Sequence, residues 1–167
     1  RYALYLLMFL VGASLGAGGK IREMFRSLGI KTLLVPIATI TGTLTFSALS
    51  ALMISQYSVY DCMAVGSGFG YYSLSSVFIT QYKGAELGTV ALMTNIFREI
   101  ITLLFAPLLV RFFSPLAPIC AGGATTMDTT LGVITRFSGR EYVFIAVFHG
   151  AVVDFTVPFF VTFFCGL

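Results

Sequence analysis

Six stretches of the chain stay apolar over roughly the 20 residues that a helix needs to cross a bilayer: Tyr2–Gly18, Thr32–Ile54, Cys62–Thr80, Ala85–Val110, Pro115–Thr135 and Tyr142–Phe164. Only short polar connections separate them. The pattern predicts a single transmembrane transport domain over residues 1–167, without a linker or a soluble module. Helices are expected, because backbone in lipid must satisfy its own hydrogen bonds. The fold class is therefore all-α integral membrane, with about six transmembrane segments.

Two of these segments are irregular. Cys62–Thr80 contains "GSGFGYYSLSS" (66–76), and Pro115–Thr135 contains "GGATTMDTT" (122–130). Glycine costs about 1 kcal/mol against alanine inside a helix, so these clusters predict unwound backbone mid-membrane. Close packing alone would explain small residues, as it does for Gly12 and Gly16 in the first segment. It does not call for hydroxyls and an aspartate. Paired interrupted segments point to a transporter site at the membrane midplane, built from broken, crossing helices. Half-helix N-termini there offer N–H groups to an anion, and carboxylates suit a cation. The predicted contacts from the first break are Ser67, Gly68, Gly70, Tyr72 and Ser73, and from the second Gly122, Gly123, Thr125, Thr126 and Asp128.

Composition sharpens this picture. The chain is 57% hydrophobic and 10% charged, against about 25% charged in soluble domains. A net charge of +3, scattered along the chain, gives no footprint for nucleic acid. Cys62, Cys120 and Cys165 lack ligand spacing and read as small apolar residues; no metal or cofactor is expected. If all six segments cross, Lys20, Arg22, Arg26, Lys31, Lys83, Arg136 and Arg140 share one side, with Arg1 and Arg111 opposite. That places the Lys20–Lys31 loop in the cytoplasm and both termini outside. The same seven-to-two balance arises if segments three and five both re-enter, but 20-residue lengths favour crossing. The start at Arg1, with neither an initiator Met nor a signal layout, predicts part of a longer or split protein.

Ionisable groups at membrane depth must face protein or a wet cavity. Asp128, Glu99 and Arg98 fall mid-span, with Asn95, Glu99 and Thr102 on one helical face. The plainer alternatives are an Arg98–Glu99 ion pair and an N-cap role for Asp128. His149 is a hydrogen-bonded packing residue or a proton carrier. Asp154 lies about 140° round the helix from it and is a weak candidate nearer one membrane surface.

The segments "SGFGYYSL" (67–74), "GAELGT" (84–89), "REI" (98–100), "GGATTMDTTL" (122–131) and "FHG" (148–150) together resemble the LysO-type lysine exporter family. The resemblance implies export of L-lysine and toxic lysine analogues from a bacterial or archaeal cytoplasm, through a fold related to inverted-repeat transporters. It also implies further N-terminal spans, carried in some members by a separate chain. The expected partners are accordingly L-lysine and protons, lipid, and either a second copy of the chain (a homodimer) or a small membrane chain with those spans. Tyr71 stands where members often have Trp, and Asp154 where an uncharged residue is expected. Exporting one positive charge against the membrane potential costs about 2.3 kcal/mol per 100 mV, and exchange for a proton removes that cost. A carboxylate that binds either a proton or an ammonium group performs such exchange, and Asp128 and Glu99 are the candidates. Other classes stay open: a proton- or sodium-coupled exchanger of another small cation or amino acid, a channel or structural subunit, and an intramembrane aspartyl protease using Asp128 with Asp154.

Overall fold

The structure, a computed structural model, describes residues 30–167; the expected first span Tyr2–Gly18 and the loop Lys20–Lys31 therefore lie outside or at the edge of the described residues. Every regular element among the described residues is helical: α1 (Ile30–Ser50), α2 (Val59–Gly66), α3 (Tyr72–Lys83), α4 (Ala85–Phe112), α5 (Ala117–Gly122), a 3-10 turn (Gly123–Met127), α6 (Leu131–Phe137), a short 3-10 turn (Arg140–Tyr142) and α7 (Val143–Cys165). Among the described residues, three helical stretches are long and apolar enough to cross a membrane: Thr32–Ser50, Ala85–Phe112 and Arg140–Cys165. They match the second, fourth and sixth apolar stretches closely. The last is the central one, with 44% of its most apolar window buried against 17% for each of the others. Phe46, Leu104 and Phe112 lie on the outer surface, where lipid rather than water suits them.

The third and fifth apolar stretches do not form single straight helices, so among the described residues the count of six spans is not borne out. A helix through Cys62–Thr80 would separate its ends by about 28 Å, at 1.5 Å per residue. Instead Lys83 Nζ lies 3.3 Å from Asp61 Oδ1. Beside that pair, Gln56 Nε2 and the Tyr57 hydroxyl each donate to Glu86 Oε1 at 2.9 Å. The segment is thus a helical hairpin, α2 in and α3 back. Ser58 starts it with a capping box: its hydroxyl accepts from Asp61 N, while Asp61 Oδ2 accepts from Ser58 N. Phe69 (φ +46) and Gly70 (φ +99) reverse the chain at the tip, and the left-handed region at Gly70 carries no Cβ penalty.

The fifth stretch folds back in the same way. Ile119 of α5 and Ile134 of α6 are both fully buried in one cluster with Val35 and Ala146, flanked by Leu116 and Tyr142. The beginning and end of Pro115–Thr135 therefore lie at one level. The open end of the first hairpin sits at the start of α4 and that of the second at its finish, so the two point at each other from opposite ends. Their tips meet: Ala124 N donates to Phe69 O at 2.9 Å. The core around this junction joins Ala64, Val65, Phe69, Leu74 and Phe78 to Val153, Val157 and Val161 of α7.

Candidate substrate-binding cleft

One helix holds both tips. Asn95 of α4, 2% exposed, accepts from Gly70 N through Oδ1 at 2.7 Å. Its amide nitrogen donates to Val65 O at 3.2 Å and Ala91 O at 2.9 Å. The first tip is thereby satisfied on both a donor and an acceptor. One turn on, Arg98 reaches the second hairpin: Nε donates to Ala121 O at 2.8 Å and a terminal nitrogen to Cys120 O at 3.0 Å. These are carbonyls at the C-terminal end of α5, where helix carbonyls lack partners and a cation is favoured. The other terminal nitrogen donates to Thr43 of α1 at 3.3 Å. Arg98 is thus bonded to backbone and Thr43, and it makes no ion pair with Glu99 among the described residues.

The second tip is pinned from behind. The Thr126 hydroxyl donates to Ala146 O at 2.8 Å and lies 3.2 Å from His149 Nδ1, while His149 Nε2 lies 2.9 Å from the Thr39 hydroxyl. His149 is fully buried in this chain of contacts, which ties α7 to α1 and the 3-10 turn. Gly150 beside it leaves no room for a side chain: a Cβ there would lie 2.6 Å from Met127 N.

On the other side of the junction is a cleft of about 160 Å³, lined by Gly70, Tyr71, Tyr72, Ser73, Glu99, Ala124, Thr125, Met127, Asp128, Thr129 and Asp154. Three carboxylates face it, and among the described residues no Lys, Arg or His does. Asp128 is close enough to interact electrostatically with both Glu99 and Asp154. Asp128 is exposed and accepts from the N–H and hydroxyl of Thr129. The N-cap of α6 is Thr130, not Asp128. The first turn of α3 also opens on the cleft, through Tyr72 and Ser73.

Of the residues singled out from sequence, Gly70, Tyr72, Ser73, Glu99, Thr125 and Asp128 come together in the cleft. Asn95, Arg98, Gly122, Gly123, Thr126 and His149 form the scaffold immediately behind it. Ser67 bonds its own helix at Ala64 O, 2.8 Å, and Gly68 packs against Asn95. The cleft also takes in Tyr71, Thr129 and Asp154, which stood outside the contacts expected from sequence. A signal for Asp154 was present: it is the middle residue of the most apolar helix.

The family profile described as "Lysine exporter LysO" matches residues 1–165 of the chain. The chain belongs to the LysO lysine exporter family. It is 32% identical over 165 residues to the lysine exporter LysO of Escherichia coli (strain K12), covering 98% of this chain and 54% of that protein. It is 33% identical over 164 residues to a putative lysine exporter of Haemophilus influenzae, covering 98% of this chain and 82% of that protein. The chain thus spans about half the length of the first relative. No solved structure gives a significant match. In this member of the LysO family, "SGFGYYSL" forms the first hairpin tip and "GGATTMDTTL" the second. "REI" sits on α4 between them, and "FHG" is the buried part of α7 behind them. Tyr71 and Asp154 line the same cleft.

Proposed function

We propose that this chain forms the transport domain of a multi-pass exporter of L-lysine in a prokaryotic cytoplasmic membrane, and that lysine and protons occupy its cleft in turn during alternating access. In this reading α1, α4 and α7 cross the bilayer. The two hairpins enter from opposite faces, with unwound tips at the midplane, and both ends of the chain lie outside. Further N-terminal spans, on a separate small membrane chain, or a second copy of this chain complete the assembly.

The observation that carries the reading is the acidic cleft where two unwound tips meet. Lysine has two ammonium groups and one carboxylate. Glu99 and Asp128 suit an ammonium group, through charge-assisted hydrogen bonds. In the first turn of α3, Tyr72 N and Ser75 N donate to Gly70 O and Tyr71 O, which leaves the N–H groups of Ser73 and Leu74 to suit the carboxylate. A volume of about five waters, at about 30 Å³ each, is on the scale of a small amino acid. A proton on Asp128 or Glu99 excludes an ammonium group there, which couples the two fluxes.

Counterflow of labelled lysine in liposomes, with and without a pH gradient, tests the proposal. Asp128→Asn is expected to abolish exchange while leaving the protein inserted and folded. Glu99→Gln is expected to keep lysine-lysine exchange and lose the response to the pH gradient. Normal export by a well-folded Asp128→Asn protein would refute the reading. Lysine-independent sodium flux would replace it with a small-cation exchanger.

A further inference from the structure

Asp154 stands apart from the other two carboxylates of the cleft. It is only 5% exposed. Among the described residues nothing donates a hydrogen bond to it and no cation pairs with it. Asp128, by contrast, holds two donors from Thr129, and Glu99 is half-buried. Removing a carboxylate from water is costly unless donors or a positive charge replace the water. The groups facing Asp154 are Asp128 of the second tip and the Tyr71 phenol of the first, both close enough to interact with it electrostatically. Neither supplies positive charge. Asp154 lines the cleft, where the positive charge of a ligand can reach it.

We propose that Asp154 receives a primary ammonium group at the floor of the cleft, so that the site selects a ligand with two ammonium centres over a ligand with one. The inference rests on the cleft being the substrate site. One ammonium group lies at Glu99 and Asp128, and the second lies at Asp154. A ligand with two positive centres relieves the repulsion among all three acids. A ligand with one leaves Asp154 buried and unmatched.

Two measurements separate this inference from the transport reading. In the first, the native protein in liposomes is treated with a hydrophobic carbodiimide and modification at Asp154 is read by peptide mass. Lysine and cadaverine, each with two ammonium groups, are expected to protect Asp154 at concentrations at least tenfold lower than n-butylammonium or sodium. Equal protection by n-butylammonium, protection by sodium alone, or no protection overturns the proposal, whether or not lysine is transported. In the second, Asp154→Asn is expected to raise the KM for lysine about tenfold, as loss of one charge-assisted hydrogen bond implies. Its kcat should change less, and the KM for 6-hydroxynorleucine, which lacks the second ammonium group, should not move. An unchanged lysine KM in a protein that exports lysine sinks the role of Asp154 and leaves the transport reading standing. If the native protein exports no lysine, the transport reading fails and the protection pattern alone decides Asp154. The same pattern decides if Asp154→Asn does not fold.

Discussion

Gly123→Ala is the sharpest test of the junction between the hairpin tips. Gly123 has φ +63 and ψ −127, a conformation open essentially to glycine that costs an alanine about 1–3 kcal/mol. An added Cβ would also run into the Phe69 carbonyl, with Arg98 Cζ 3.4 Å away. Phe69 O is the acceptor for Ala124 N at 2.9 Å. Moving the second tip to make room therefore breaks the bond that joins the hairpins, at a further cost of about 0.5–1.5 kcal/mol. Together these give a loss of about 1.5–4.5 kcal/mol. Gly132→Ala is the control: the site lies within α6, and nothing stands within 4 Å of its new Cβ. Helix propensity there favours alanine by up to about 1 kcal/mol. Thermal unfolding in detergent should rank the native protein well above Gly123→Ala, at about 2–4 °C per kcal/mol, and Gly132→Ala level with or above the native protein. Transport should fall only in Gly123→Ala. If Gly123→Ala melts and transports like the native protein, the tips do not meet as described.

Asn95→Leu keeps the side-chain volume but strands Gly70 N, whereas Val65 O keeps its bond from Gly68 N, so a loss of about 1–3 kcal/mol is expected for one unsatisfied buried group; a native-like melting curve would count against the clamp. Arg98→Met removes the partners of the Cys120 and Ala121 carbonyls and should destabilise comparably. Because Arg98 and Glu99 share no partner, combining it with Glu99→Gln should be additive within about 0.5 kcal/mol, and strong coupling in the double-mutant cycle would restore an ion pair. At the base of the first hairpin, Lys83→Ala should cost under about 1 kcal/mol, since both members of its pair with Asp61 are partly exposed.

The sequence exposed the chemistry of the site more completely than its geometry. Glycines at 66, 68 and 70 and at 122 and 123 marked where helix would give way, because each exchanges helix propensity for close approach or a positive φ. The acids Asp128 and Glu99 were found by their depth in apolar segments. The placement of Arg98 was not legible. A positive residue next to a negative one suggests an ion pair, but α5 ends within reach of Arg98 and leaves unpaired carbonyls there, and that proximity is tertiary. His149 was legible as a packing residue or a proton carrier, and its bonds to Thr126 and Thr39 show how a buried imidazole is satisfied at the back of the tip. Asp154 was undervalued because the sequence does not say which face of α7 meets the tips.

Folding back, rather than crossing, was hidden for a specific reason. Charge balance cannot distinguish the two arrangements. With Tyr2–Gly18 crossing and both hairpins returning, Lys20, Arg22, Arg26, Lys31, Arg111, Arg136 and Arg140 share one side, with Arg1 and Lys83 on the other. The count is again seven to two; only Lys83 and Arg111 have exchanged places. Length does not help either, because a 20-residue apolar stretch serves a crossing helix and a hairpin of two half-length helices equally. The contact that separates them is local: Lys83 lies against Asp61, which crossing would put on the opposite face. Single cysteines placed at these two positions, in a protein whose Cys62, Cys120 and Cys165 are replaced, convert that difference into a measurement. A membrane-impermeant maleimide added to intact cells should label Lys83→Cys and should not label Arg111→Cys. Asp61→Cys, outside in either arrangement, and Arg136→Cys, inside in either, calibrate the assay. Labelling of Arg111→Cys without Lys83→Cys would overturn the hairpins, and with them the placement of both tips at the midplane.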